Sequence, residues 1–69
     1  MKNDKEGLIE EFAAPYNRIV KLEKIEHESG MHMLRLRIRE GRRFTIMDLD
    51  KETAQKMGQH LINWAEVTQ

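Results

Sequence analysis

The sequence has 69 residues, with 12 basic and 12 acidic side chains and no cysteine. A chain of this length makes one domain whose apolar residues are nearly all needed for its core, which leaves little for a deep catalytic pocket. Without cysteine neither a disulfide framework nor a thiolate metal site can form, so stability must come from packing or self-association. No apolar run approaches the length of a signal sequence or a membrane span. We therefore expect a soluble cytoplasmic protein with no membrane partner.

The first 14 residues precede the regular part of the pattern. Leu8 and Phe12 have helical spacing, whereas Pro15 ends any helix at the residue before it. We expect residues 1–14 to form a short helix or a flexible arm. A single β-β-β-α domain follows over residues 15–69.

Three segments in the middle of the chain have the periodicity of β-strands. Residues 33–39 alternate strictly between apolar residues and arginines, which is typical of a strand with one buried face. Residues 19–27 and 44–49 alternate over shorter stretches. These segments predict a three-stranded antiparallel meander.

The phase of the apolar residues predicts the register of the first hairpin. A three-residue loop at residues 28–30, with Gly30 in the left-handed conformation, pairs Leu22 with Leu36 and keeps both on one face. A two-residue turn at Ser29 and Gly30 would need a bulge in the first strand to give the same pairing. We prefer the three-residue loop.

The second hairpin is predicted by the same reasoning. Pairing Ile38 with Phe44 places both apolar side chains on one face, and it requires an odd-numbered loop around Gly41. Phe44 and Ile46 would then lie on the apolar face, and Met47 would lie beside the arginines.

The last third of the chain predicts a helix over residues 51–66 with Asp50 as its N-cap. Its apolar stripe should face the core and consists of Met57, Gly58, Leu61, Ile62, Trp64 and Ala65. Gly58 within that stripe suggests a close approach to a strand. The expected fold is therefore α+β, with the helix packed on one face of the meander.

The other sheet face should be rich in arginine. Residues 30–49 hold five basic and two acidic side chains, and the candidate binding residues are Lys21, Arg35, Arg37, Arg39, Arg42 and Arg43. In one interpretation this face is solvated and its charges pair with Glu23, Glu26 or Asp48. In the other it binds anions, because the arginine fork matches phosphate and carboxylate groups.

Nucleic acid is the leading candidate for such an anion. Three strands followed by a helix, with arginines on the outer strand face, resemble the DNA-binding domains of a class of plant transcription factors and the arm-binding domains of tyrosine recombinases. Against this stand the zero net charge and the expected lack of strand aromatics on which bases could stack.

Self-association is another interpretation of the same face. Four apolar residues should form a small patch beside the arginines, and they are the candidate interface: Ile25, Met31, Met33 and Met47. Open sheet edges could also pair with a second copy. A homodimer or an unknown protein partner would therefore suit this surface.

The sequence offers little for metal binding or catalysis. His27 and His32 flank the turn at Ser29, but a closed zinc site needs four ligands, so we interpret them as exposed turn residues. No nucleophile with a neighbouring base, no pair of carboxylates in an apolar setting and no glycine-rich phosphate loop is apparent. We expect no enzyme activity and no cofactor.

The segment from residue 15 to residue 65 also resembles a group of small bacterial proteins of uncharacterised function. The resemblance lies in PYNRIVKLEKIEHESGMHMLRLRIREGRRFTIMDLDKETA and in INWAE near the C-terminus. It implies a compact strand-rich domain with a terminal helix, and it transfers no functional residue. The expected function is a non-catalytic binding or interaction module that uses the arginine-rich face, with DNA or RNA binding as the alternative.

Overall fold

The computed structural model describes residues 7–68. They form a four-stranded antiparallel sheet in the order β1-β2-β3-β4, followed by one helix. The elements are β1 (Leu8–Ala14), β2 (Arg18–Glu26), β3 (His32–Glu40), β4 (Arg43–Leu49) and α1 (Lys51–Val67). The α+β class is confirmed, but the prediction of three strands is wrong because a fourth strand comes first.

Strand β1 lies in the segment that we interpreted as a short helix or a flexible arm. It pairs with β2, and a register shift between Leu8 and Glu10 marks a bulge. Because of this bulge Leu8 and Phe12, four residues apart, lie on opposite faces of the sheet, whereas in a regular strand they would share one. Residues 1–6 of the expected arm lie outside the described residues.

The first predicted hairpin register is confirmed. Leu22 pairs with Leu36 between β2 and β3. The backbone N–H of His27 donates to the carbonyl of Met31 at 2.9 Å, and Gly30 has a φ of +91°. Because a left-handed φ suits glycine, this residue allows the loop that sets the register.

The second predicted hairpin register is wrong by one residue. Phe44 pairs with Arg39, and Ile38 pairs with Thr45. The loop between β3 and β4 is the two-residue turn Gly41-Arg42, and Gly41 has a φ of +62°, as the first central residue of a type II′ turn requires. A shift of one residue moves every side chain of a strand to the other face.

Helix α1 begins at the predicted cap. The carboxylate of Asp50 accepts a hydrogen bond from the backbone N–H of Thr53 at 2.9 Å. Hydrogen bonding from Thr53, through its side chain and then its backbone, holds the pKa of Asp50 below the ordinary value. The helix contacts mainly β3 and β4, and its half-buried residues all lie in its first half: Ala54, Met57 and Gly58.

The expected close approach at Gly58 is not found. A Cβ atom at this position would meet no heavy atom within 4 Å. The predicted stripe therefore contacts the sheet only near the start of the helix, and residues 59–67 are all exposed.

The fold buries very little. Leu49, at 4% exposure, is the only buried hydrophobic residue of the described chain. In an isolated chain nearly all apolar side chains of the described residues are therefore exposed or only half-buried.

Candidate interaction surfaces

Register and alternation assign the strand residues to two faces, since cross-strand partners point to the same side. The arginine face consists of Glu11, Ala13, Ile19, Lys21, Glu23, Ile25, Met33, Arg35, Arg37, Arg39, Phe44, Ile46 and Asp48. The opposite face, here called the apolar face, carries the apolar residues Phe12, Val20, Leu22, Leu34, Leu36, Ile38, Met47 and Leu49 together with Thr45, and it also carries the charged or polar residues Glu10, Arg18, Lys24, Glu26, His32, Glu40 and Arg43. Both faces retain exposed side chains.

Arg35 is neutralised on the arginine face. Its guanidinium donates to both carboxylate oxygens of Asp48, from Nε at 2.9 Å and from Nη2 at 3.1 Å. The hydrogen bond from Arg35 holds the pKa of Asp48 below its usual range, and the same contact raises the pKa of Arg35. This bidentate pair uses two of the five N–H donors of Arg35 and offsets its charge, which weakens its attraction for an anionic ligand.

Arg37 is also engaged within the sheet. Its Nη2 donates to Oε1 of Glu23 at 3.2 Å. Its Nε is buried and has no partner among the described residues. Two of the three arginines of β3 therefore form the ion pairs that the solvated interpretation predicts.

Arg39 differs from its neighbours on β3. No described carboxylate lies within ion-pair distance of its guanidinium. It lines a shallow depression of about 290 Å³ whose other residues are Glu11, Ile19, Lys21, Arg37 and Phe44. The Phe44 side chain in this row is 57% exposed. A cation beside an exposed ring can contact both the phosphate and the base of a nucleotide.

The corrected register thus overturns one premise of the sequence interpretation. Phe44 and Ile46 lie on the arginine face, where we expected no exposed aromatic residue. The two-residue Gly-X turn at Gly41 was the signal in the sequence that could have placed them there.

The two turn arginines do not lie on one surface with the strand arginines. Arg42 is an exposed turn residue. Arg43 pairs with Glu40 at the start of β4, on the side of the apolar face. Glu40 also accepts a hydrogen bond from Arg18 at 2.9 Å, so the cations at this end of the sheet face a carboxylate.

The four candidate interface residues are likewise divided. Ile25 and Met33 pair with each other on the arginine face and are half-buried. Met31 is exposed in the loop. Met47 pairs with Leu36 on the apolar face, so its expected place beside the arginines is wrong.

A larger apolar surface lies on the opposite side, where the sequence predicted a covered core. On the apolar face Phe12 and Met47 are exposed, and the central residues of β2 and β3 are only half-buried. The helix adds four exposed large residues, which are Leu61, Ile62, Trp64 and Val67. Exposed large apolar side chains grouped on one element are typical of an interaction site.

The two histidines of the first hairpin remain near its loop. Nε2 of His32 lies 3.6 Å from Oε2 of Glu26, and both side chains are well exposed. No cluster of three or more metal-ligating side chains is found in residues 7–68. Nor does this part of the chain contain a helix with the length and apolar character needed to span a bilayer.

These features define a small α+β domain whose candidate sites are exposed surfaces of a sheet and a helix. The model of a family of unknown function, DUF6967, matches residues 4–67. The chain therefore belongs to this family. No curated protein and no solved structure matches the chain.

Proposed function

We propose that this protein is a non-catalytic interaction module that acts as a homodimer. The dimer covers the apolar face and the exposed half of α1, and it leaves the arginine face outward for a further partner. The observation that carries the proposal is the exposure of apolar side chains on both elements, with Leu49 the only buried hydrophobic among the described residues.

The amount of surface supports a dimer. Large apolar side chains of the described residues are exposed on both elements, among them Phe12, Met47, Leu61, Ile62, Trp64 and Val67, and a stable interface needs about 800 Å² from each partner. A small domain without disulfides gains stability in the same way.

Two neighbouring residues of β4 give a matched test. Met47 lies on the apolar face and Ile46 on the arginine face, and the two are 47% and 51% exposed. We expect Met47→Asp to raise the dimer dissociation constant at least about tenfold, because it buries a charge in the interface. Ile46→Asp should leave it unchanged.

Size-exclusion chromatography with light scattering, at several concentrations and two salt levels, measures both variants. Circular dichroism confirms that each is folded. If Ile46→Asp dissociates the dimer and Met47→Asp does not, the interface lies on the arginine face and the proposal is wrong. A chain that is monomeric at every concentration also contradicts it.

Nucleic-acid binding by the arginine face is the second candidate function. The observation that favours it is the row of Arg39 and Phe44, in which a guanidinium with no ion pair to a described carboxylate lies next to an exposed ring. The pairing of Arg35 and Arg37 with carboxylates weakens this candidate, since it reduces the positive potential of the face.

A titration with short single-stranded DNA and RNA at low and moderate salt tests this candidate. Binding should decrease steeply with salt, and Arg39→Gln should weaken it more than Lys56→Gln, which removes the same charge from the exposed side of α1. Equal effects of the two variants would show non-specific attraction only.

A further inference from the structure

The dimer that we propose could bury its apolar surface in more than one way. Two helices could pack together, two β4 edges could pair, or the helix of each copy could lie on the sheet of the other. The distribution of exposed residues distinguishes among these arrangements.

We infer that residues 59–67 of α1 dock on the apolar face of the partner copy, and that the partner's helix docks reciprocally. This inference rests on the proposed homodimer. It assigns the occupant of each apolar face to a second copy of the chain.

Each copy carries both surfaces that the contact needs, the exposed second half of α1 and the apolar face. The apolar residues of the second half of α1 are exposed, with Leu61 at 62% and Trp64 at 67%. Across the apolar face the central strands are only half-buried, although Leu36 and Ile38 lie in the middle of the sheet. Reciprocal docking covers both sets through one two-fold axis.

The exposed half of α1 and the apolar run on β3 are also similar in length. From residue 59 to residue 67 the helix rises about 12 Å at 1.5 Å per residue. The apolar run from Leu34 to Ile38 on β3 extends over about 14 Å at 3.4 Å per residue. The exposed half of the helix is therefore nearly as long as this half-buried strip.

The alternatives leave one of these surfaces in water. Helix-to-helix packing covers Leu61 and Trp64 but leaves the apolar face open. Edge pairing through β4 satisfies backbone groups but covers neither Trp64 nor Ile38. Reciprocal docking leaves neither set open.

The chain contains a single tryptophan, so the ring of Trp64 is an unambiguous probe. The experiment mixes copies labelled with ¹³C at methyl groups with unlabelled copies and records isotope-filtered NOEs from the indole. Reciprocal docking predicts NOEs between Trp64 of one copy and the methyl groups of Leu36 and Ile38 of the other. Light scattering on the same sample reports the mass.

The possible outcomes distinguish reciprocal docking from the homodimer on which it rests. A dimer whose Trp64 NOEs reach only helix residues such as Leu61 of the other copy overturns reciprocal docking but not the homodimer. A monomer overturns both. Trp64→Ala should raise the dimer dissociation constant at least about 30-fold, and Gln59→Ala should not change it. Equal effects of these two exposed positions would contradict docking through Trp64.

Discussion

Arg35 and Asp48 lie directly opposite each other on β3 and β4, joined by two hydrogen bonds of 2.9 and 3.1 Å. The pair is compatible with the observed register of β3 and β4 and not with a register shifted by one residue. Such a shift would move Asp48, together with Phe44 and Ile46, to the face opposite Arg35. The pair also gives Arg35 a structural role within the sheet.

The first prediction concerns acid stability. The pKa values of Asp48 and Asp50 are lowered in the folded chain, by hydrogen bonds from Arg35 and from Thr53 respectively. Their contribution to stability is fully present above the unfolded aspartate pKa of about 3.9 and is lost as the pH falls through the lower folded values. The midpoint of thermal unfolding should therefore decrease below about pH 4.

The double variant Asp48→Asn, Asp50→Asn should show a smaller decrease over the same range, although it is less stable near neutral pH. Circular dichroism melts from pH 2 to pH 7 provide the comparison. An identical acid profile in the variant and the unaltered chain would mean that these carboxylates do not dominate the acid response.

The second prediction concerns the helix cap. Asp50→Ala removes the acceptor for the N–H of Thr53, and we expect the unfolding midpoint to decrease by roughly 4–8 °C. Asp50→Ser retains a capping oxygen without the charge and should recover most of the loss. Equal losses in both variants would show that the charge of Asp50, rather than its hydrogen bond, stabilises the helix.

The third prediction contrasts two glycines. Gly41 has a left-handed φ, so Gly41→Ala should destabilise the chain by about 1–2 kcal/mol. Gly58 is helical with open space around its missing Cβ, so Gly58→Ala should stabilise it by up to about 1 kcal/mol. Urea unfolding, at a protein concentration below the dimer dissociation constant, measures the free energy of unfolding of both variants. A destabilising Gly58→Ala would contradict the open space at this position.

The fourth prediction concerns the single buried hydrophobic residue of the described chain. Leu49→Ala should cost about 2–5 kcal/mol, a large part of the roughly 3–10 kcal/mol expected for a domain of this length. Leu61→Ala, at an exposed helix position, should change stability little in dilute protein and should weaken self-association. Concentration-dependent thermal melts of both variants distinguish the two effects.

Much of the fold could be predicted from local signals. The strict alternation of β3, the left-handed Gly30 and the Asp50 cap are each determined by neighbouring residues, and the structure contains all three. Strand β1 was missed because its bulge after Leu8 interrupts the period-two pattern that identifies a strand.

The face of β4 could not be assigned by hydrophobicity alone. Phe44 and Ile46 are more apolar than Thr45 and Met47 at the alternate positions of β4, so hydrophobicity alone predicts that Phe44 and Ile46 face the core. The two-residue turn at Gly41 instead places Leu49 on the apolar face, where it is buried. The exposed surface of α1 was missed for a different reason, because an apolar stripe predicts that a helix is covered without indicating by which chain.

Sedimentation equilibrium of the unaltered protein tests the central claim most directly. The account predicts a mass of two 8.2 kDa chains at high concentration, a decrease towards one chain on dilution, and a dimer that persists at high salt because its contacts are apolar. A mass of one chain at every concentration, or a dimer that dissociates when salt is added, would contradict a homodimer held together through its apolar face.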